Sequence, residues 1–467
     1  MRLAQKLEGS FYPLLAIGTS ITMGIISCSL KAQWILIAVF GVSILLFIFS
    51  IRIDYKILSL ILILASYINS VKPVFATKYA PIVIDLVIAL IFVRIFLNKT
   101  ISGKNSSVLS PGIEISLLLF FLISLIQLFN PNIPTLQVGL EGFRKTTYQM
   151  MAIFLGIYCV RDSLEVEKIS RYLCYASIPI LLYGIKQWFF FSPFDQRIIE
   201  LNFGGLSVYY LGGSRRAISI FSGPFHFGMF SCFITLLSLY FYLKRKNFLY
   251  LVLFIISTMG VFFSMTRTSI VALVISGLFF LWFAKPEKRR LLKKINVLFL
   301  LLLLILIIIS SQKFLPVINM LKTFENISED QRFLNRFVGY RKMPKAFIER
   351  PIIGYGMGSA GDTLGPRFKG KVHFTSHNLG FKILMETGLL GLGIYIFFFL
   401  AWFQKAFGLF KSENTYVRNL SVLITSIVLV LLVNGIVGSA VEAYPINLYI
   451  WFFMGALVKV WWLEKNK

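Results

Sequence analysis

The sequence predicts an all-α, polytopic membrane protein of about fourteen transmembrane helices, and three observations carry that prediction. Of 467 residues, 57% are apolar and only 14% charged, against about 45–50% and 25% in average soluble proteins. The apolar residues gather in runs near the ~20 that a helix needs to cross a hydrocarbon core of about 30 Å. Short charged or Pro/Gly/Asn-rich breaks separate those runs, as expected of a backbone that must satisfy its hydrogen bonds within each span. A soluble globular domain is excluded, because so apolar a chain would leave far more greasy surface than water tolerates.

In chain order, Met1-Arg2 and Lys6 precede a first run near 11–28 that is long enough to span and lacks a small-residue cleavage site, so it reads as an uncleaved span. Runs near 33–50, 57–72, 81–97, 115–130, 147–160 and 172–191 follow. The next, 226–243, stops at Lys244-Arg245-Lys246. Those near 247–264 and 269–284 are divided only by the turn Ser264-Met265-Thr266-Arg267-Thr268-Ser269; merging them would lower the count. After the basic stretch Lys285 to Lys294 come 295–313, 379–403, 418–437 and 446–462. With the amino terminus in the cytoplasm, alternation places Lys244-Arg245-Lys246 and the 285–294 stretch inside, as the positive-inside rule requires, and puts both termini in the cytoplasm. The chain then reads as one polytopic domain, 1–467, with an outer loop at 192–225 and a large outer loop at 314–378 capping the bundle.

The net charge of +27 would suggest nucleic acid in a soluble protein, but here insertion topology accounts for most of it. The large outer loop, counted from Lys313, is the exception, with eleven basic residues against five acidic ones. Loop 192–225 adds Arg197, Arg215 and Arg216. Topology does not ask for these charges, which suggests an anionic partner on the outer face. Anionic lipid headgroups are the plainer explanation for single lysines. The arginines fit a phosphate better, since a guanidinium can hold two oxygens at once.

Reactive groups outside the cytoplasm are few. Cys28, Cys159, Cys174 and Cys232 lie in or beside apolar runs, which supports neither a disulfide framework nor a metal cluster. His373 and His377 are four apart, but no Glu follows His373 and no cysteine is near, so no metal is expected. His377, in Ser376-His377-Asn378-Leu379, stands at the start of a span and reads as a single base, imidazole being the side chain suited to taking a proton near neutral pH. Glu386 falls inside that span and needs a partner, with His377, Lys382 or an arginine of another helix as candidates. Arg267, between two apolar runs, is expected to face the protein interior or a watery cavity. The segment from Asn335-Arg336 to Ser359 reads as an amphipathic helix stopping at Pro351, then a loop in which Gly354, Gly356 and Gly358 admit close backbone approach.

The run from Arg336 through Pro351-Ile352-Ile353-Gly354-Tyr355-Gly356-Met357-Gly358, then Ser376-His377-Asn378-Leu379 and Glu386-Thr387-Gly388-Leu389-Leu390-Gly391-Leu392, resembles the core of the bacterial O-antigen ligase and O-antigen polymerase family. The turn Ser264 to Ser269 and the segment Ser219 to Phe227 resemble that family's serine-arginine turn and the segment opening the span after its other outer loop. The sequence departs in having Met265-Thr266 where serine more commonly precedes the arginine, and Tyr340 where tryptophan is frequent. The resemblance implies a GT-C-like membrane fold and an inverting, metal-independent glycosyltransferase at the outer face of the bacterial inner membrane. Its donor would be an undecaprenyl-diphosphate-linked glycan and its acceptor a second glycan. Carried over by position, Arg267 and Arg336 would hold the donor diphosphate and His377 would activate the acceptor hydroxyl, with Arg216, Arg215, Arg341 and Glu386 as further substrate-binding candidates.

Expected partners are these glycans, membrane lipids and a chain-length regulator, with no cofactor and no nucleic acid. The many spans and the Lys-rich, Phe-rich composition favour a polymerase of O-antigen, capsule or exopolysaccharide repeat units over a ligase to lipid A core. A flippase is the alternative of another class, weakened by the absence of a half-to-half repeat and by Asp85 being the only plain mid-span acid besides Glu386. A peptidoglycan glycosyltransferase of the shape and division group would rely on an outer-loop aspartate, and the setting of Asp362 does not match that group's motif.

Overall fold

A computed structural model describes residues 53–75, 80–102, 111–133, 135–203, 210–211, 214–284, 343–361 and 377–467. It divides into two compact units. One comprises 1–53 and 86–104, and its described residues from 86 onward form the greater part of an apolar helix, α2 (Ala80–Ser102). The other holds the rest of the chain and all of the candidate site, and is helical apart from one strand pair among the described residues.

In this larger unit α1 (Tyr55–Phe75) is capped by the Asp54 carboxylate, which accepts from the amides of Lys56 and Ile57. Helix α3 (Pro111–Ile126) runs on into a 3-10 turn, Gln127–Phe129. Then come α4 (Leu136–Thr146), with a Thr135 cap, and α5 (Ala152–Cys159). Helix α6 (Ser163–Phe189), capped by Asp162, crosses to α7 (Pro193–Phe203) and the antiparallel pair β1 (Tyr210–Leu211) and β2 (Ser214–Arg215). Helices α8 (Pro224–Arg245), α9 (Phe248–Phe263) and α10 (Arg267–Phe283) follow. The last three are α11 (Leu379–Leu409), α12 (Thr415–Gly435) and α13 (Ile446–Lys465).

Five described stretches are long and apolar enough to cross a membrane: Gly112–Phe129, Pro224–Arg245, Leu379–Phe410, Thr415–Gly435 and Ile446–Lys465. The chain is thus an integral membrane protein of helical architecture. The expected spans 11–28, 33–50 and 295–313 lie outside the described residues. The runs 247–264 and 269–284 form two helices, because Met265 takes a left-handed φ of 48° and turns the chain back. Within the expected span 147–160 the chain is helical from Tyr148 to Cys159, a 3-10 turn, Tyr148–Met151, running directly into the eight-residue α5. Its Gly156 meets α13 so closely that a Cβ there would lie 2.2 Å from the Phe452 carbonyl oxygen, while one on Gly455 would lie 2.0 Å from that of Ile153. Small residues at such a crossing let two backbones approach.

Helices α8, α12 and α13 form the centre of this unit. Phe227, Phe233, Leu236, Ile424, Ile427, Tyr449, Trp451 and Phe452 are all buried there. The outward faces of α3, α10 and α11 stay apolar and exposed, at Leu118, Leu122, Leu278, Trp282, Phe397 and Leu400 among others, as lipid contact requires. At one end Glu167 pairs with Lys244 at 2.5 Å and with Arg245 at 2.8 Å, and Tyr416 donates to the Ser163 carbonyl, tying α6, α8 and α12.

At the opposite end, buried Asp195 anchors α7. It pairs with Lys186 and accepts from the Tyr183 hydroxyl and from the Ser192 amide and hydroxyl, each at 2.6 Å. Burial pushes its carboxyl up, but the Lys186 and Ser192 bonds outweigh that and hold it below the usual range. A lowered value means that its contribution to stability is complete above the ordinary carboxyl value of about 3.9 and disappears as pH falls through the lowered one. Asp195→Asn should therefore loosen 193–203 at neutral pH by about 1–3 kcal/mol and remove this acid limb, read as exchange protection of 193–203 against pH.

Candidate functional site

Helix α9 ends at Phe263, and the next three residues make a tight turn into α10. The Ser264 hydroxyl donates back to the Val261 carbonyl at 2.7 Å and accepts from the Thr266 amide at 3.3 Å. Arg216 lies across this turn, its Nε donating to the Ser264 carbonyl at 3.1 Å and a terminal nitrogen to the Thr266 hydroxyl at 3.2 Å. The adjoining Ala217 amide donates to the Phe263 carbonyl at 2.8 Å. Gln187 of α6 holds the other side of the 216–219 segment: its carbonyl oxygen accepts from the amides of Ile218 and Ser219, and its amide donates to the Ser219 carbonyl. Gly228 of α8 has no room for a Cβ, which would sit 2.8 Å from both the Ser264 and Ser269 hydroxyls. The turn is thus gripped by the 216–217 segment and by α8, and α6 braces that segment from behind.

Arg267 is the first residue of α10, partly exposed, and no acidic residue stands in that first turn. A cation at a helix amino terminus is opposed by the helix dipole, whereas an anion there is attracted by both the dipole and the guanidinium. The local electrostatics thus favour an anion.

The second half of the site is built on the carboxyl end of α12. Ser269, one turn into α10, donates to the Asn434 side-chain oxygen at 3.1 Å. Gly435 packs on Leu379, which would lie 3.1 Å from a Cβ on that glycine. Asn378 caps α11 by accepting from the Phe381 amide at 2.9 Å, and donates to the Ile436 carbonyl at 2.8 Å. His377 precedes this cap, partly exposed, with a left-handed φ of 43°. Residues 434–436 therefore hold the Arg267 turn and the His377 cap at one rim, and Arg216 joins them through the same turn. Among the described residues, the non-glycine positive φ values are at Ser219, Lys246, Met265 and His377. Lys246 is the ordinary cap of α8 at the other rim. The remaining three flank the motif arginines or are the candidate base, and such backbone strain concentrates where surrounding structure enforces a functional geometry.

The glycine-rich loop lies against a break in α11. Gly388, with φ 68° and ψ −170°, interrupts that helix and leaves backbone groups free on both sides. Loop 351–361 takes them up. The Tyr355 and Gly356 amides donate to the Met385 and Glu386 carbonyls at 2.8 and 3.1 Å, and the Leu389 amide donates to the Pro351 carbonyl at 2.8 Å. On its other side a Cβ on Gly358 would meet the Val138 carbonyl oxygen of α4 at 2.3 Å. Helix 343–349, as expected, stops before Pro351.

Beneath the loop is a fully buried charge cluster. Lys382 pairs with Glu386 at 2.6 Å and Glu442 at 3.0 Å, and donates to the Ala360 carbonyl at 2.7 Å. Glu386 also accepts from the Gly358 amide at 3.0 Å and the Thr146 hydroxyl at 3.5 Å. Of the partners considered for Glu386, the structure selects Lys382 and turns both carboxylate oxygens to protein groups. Asp85 likewise is paired, with Arg144 at 2.5 Å.

Arg216, Arg267 and His377 thus share a rim. Arg215 stands exposed, its guanidinium 4.7 Å over the Phe191 ring. Arg336 and Arg341 lie outside the described residues, as do His373 and Asp362. Gln187, Asn434 and Glu442 were not singled out in the sequence. Polar residues in or beside apolar spans were the available signal for all three, and the four-residue spacing of Lys382 and Glu386 was the signal for their pairing.

No curated protein matches the chain. The model of a family described as O-Antigen ligase matches residues 251–396, which takes in the Arg267 turn, the glycine loop, His377 and the break at Gly388. This match supports the family resemblance that the order of the motifs implied, over that segment of the chain.

Proposed function

We propose that the chain is an inverting, metal-independent glycosyltransferase that polymerises undecaprenyl-diphosphate-linked repeat units at the outer face of the bacterial inner membrane. The observation that carries this reading is the shared rim: Arg216 and Arg267 on one turn, and His377 held to that turn through residues 434–436. A lipid diphosphate is already a good leaving group, so the protein has to place cations on it, offer a base, and align the acceptor. The acceptor hydroxyl oxygen attacks the anomeric carbon from the face opposite the diphosphate. As that bond forms, the bond to the diphosphate oxygen breaks and its electron pair leaves with undecaprenyl diphosphate. The hydroxyl proton passes to His377. Arg267, with Arg216 and the arginines at 336 and 341, balances the charge that develops on the leaving group. Basic residues 244–246, at the rim opposite the site, support an orientation with both termini in the cytoplasm.

The matched family's description favours a second reading, in which the acceptor is lipid A core. Purified protein in nanodiscs, given lipid-linked repeat units alone, should build a ladder of longer chains. No ladder, with transfer of preformed polymer to lipid A core instead, would replace the polymerase by the ligase. In either case Arg267→Ala should lower kcat by roughly 10²–10³-fold, the scale of losing one charge-stabilising donor. Arg216, partly committed to Ser264 and Thr266, should cost about tenfold on replacement by alanine.

A further inference from the structure

We propose that Lys382, Glu386 and Glu442 are positioning residues, a buried staple that closes the stem of the large outer loop and fixes where His377 stands; the positioning part rests on the glycosyltransferase reading above. The described chain enters this loop's final part at Gly361 and leaves it at His377. Lys382 ties the two ends together. Its ammonium donates to the carbonyl of Ala360, the residue before Gly361, at 2.7 Å, while its backbone stands in the first turn of α11, joined by the ordinary helical bond of 2.9 Å to Asn378, the residue after His377.

The ammonium donates to Ala360 and Glu386, and its charge is paired with Glu442 at 3.0 Å. The two carboxylates carry the grip further. Glu386 accepts from the Gly358 amide in the glycine loop. Glu442, on the 3-10 turn Ala440–Glu442 that follows α12, faces Gly361 so closely that a Cβ there would lie 2.3 Å from its Oε1. One cluster therefore joins four segments: the glycine loop, the start of α11, the break at Gly388 and the turn after α12. The turn after α12 follows the 434–436 segment that carries the Arg267 side of the site.

Burying two carboxylates and one ammonium is a poor way to gain stability, since apolar side chains of the same volume usually do as well or better. What such a cluster does provide is a preferred geometry, because the ammonium meets Ala360, Glu386 and Glu442 together in one arrangement. The mechanism gives these residues no contact with the reacting atoms. They act through His377 and through the loop.

Glu442→Gln is the decisive variant, since it keeps the volume and an acceptor for Lys382 while removing the charge. Hydrogen exchange of the full chain in nanodiscs, without substrate, should show faster exchange confined to peptides covering 354–361 and 377–382, with the melting temperature of the bundle unchanged. Turnover should fall by about tenfold with the donor KM within about twofold, and in a His377→Ala background the same change should cost nothing more, as non-additivity between coupled residues requires. Unchanged exchange at 354–361 and 377–382 would overturn the staple. Equal losses with and without His377 would overturn its action through that residue. Absence of product from the unaltered chain would instead count against the glycosyltransferase reading, while the exchange result would still decide the staple.

Discussion

His377→Ala should reduce turnover by roughly 10²–10⁴-fold, the range over which a positioned general base contributes. The loss should fall on kcat, with the KM for the lipid-linked donor little changed, because the proposed function assigns the diphosphate to arginines on α10 and on the segment before α8. Added free imidazole should restore part of the activity. The same variant separates transfer from transport. If lipid-linked units still reach the outer leaflet while polymer is lost, the residue serves glycosyl transfer. If they accumulate on the inner leaflet, the transferase reading fails. His377→Asn tests the backbone separately: asparagine tolerates the left-handed region, so its variant should fold as well as the unaltered chain and remain inactive.

Gly388→Ala should be the most damaging single methyl addition among the described glycines. Its φ of 68° and ψ of −170° lie in a region that is essentially restricted to glycine, which alone costs on the order of 1–3 kcal/mol for another residue. The added Cβ would also sit 2.0 Å from the Ile352 carbonyl oxygen, a backbone atom that cannot rotate away. The helix break and loop 351–361 have to separate for the methyl to fit. The expected outcome is a folded bundle at most, melting well below the unaltered chain, with rapid exchange at 354–361 and no turnover. Gly393→Ala, where nothing lies within 4 Å of the new Cβ, is the control on the same helix and should be close to neutral. Equal melting temperatures for the two variants would refute the account of the break.

Much of the candidate site was legible in the sequence because membrane chains leave so little polar material outside their spans. Three histidines and a few arginines had to include the candidates, and Arg267 drew notice for being a lone charge between two apolar runs. Glu386 was legible as a carboxylate in need of a partner. Which partner was not, because Lys382 and an arginine from another helix satisfy the same requirement on paper. The close packing of α5 was not legible for a related reason. Hydropathy counts apolar residues, and the apolar run 147–160 does not reveal that Gly156 and Gly455 pull a short helix against α13.

Sequence by itself determined the solvent, the helical class, the order of the motifs and the residue types available for catalysis, since all of these follow from composition and from spacing along the chain. The tertiary structure alone decided that Gly388 is a break which receives the glycine loop, that residues 434–436 hold the arginine turn and the histidine cap at one rim, and that a buried lysine closes the loop stem. Those are contacts between residues far apart in the chain, such as Ser269 with Asn434 and Ala360 with Lys382. Local propensity carries no record of them, because the energy that selects them appears only when the helices are packed.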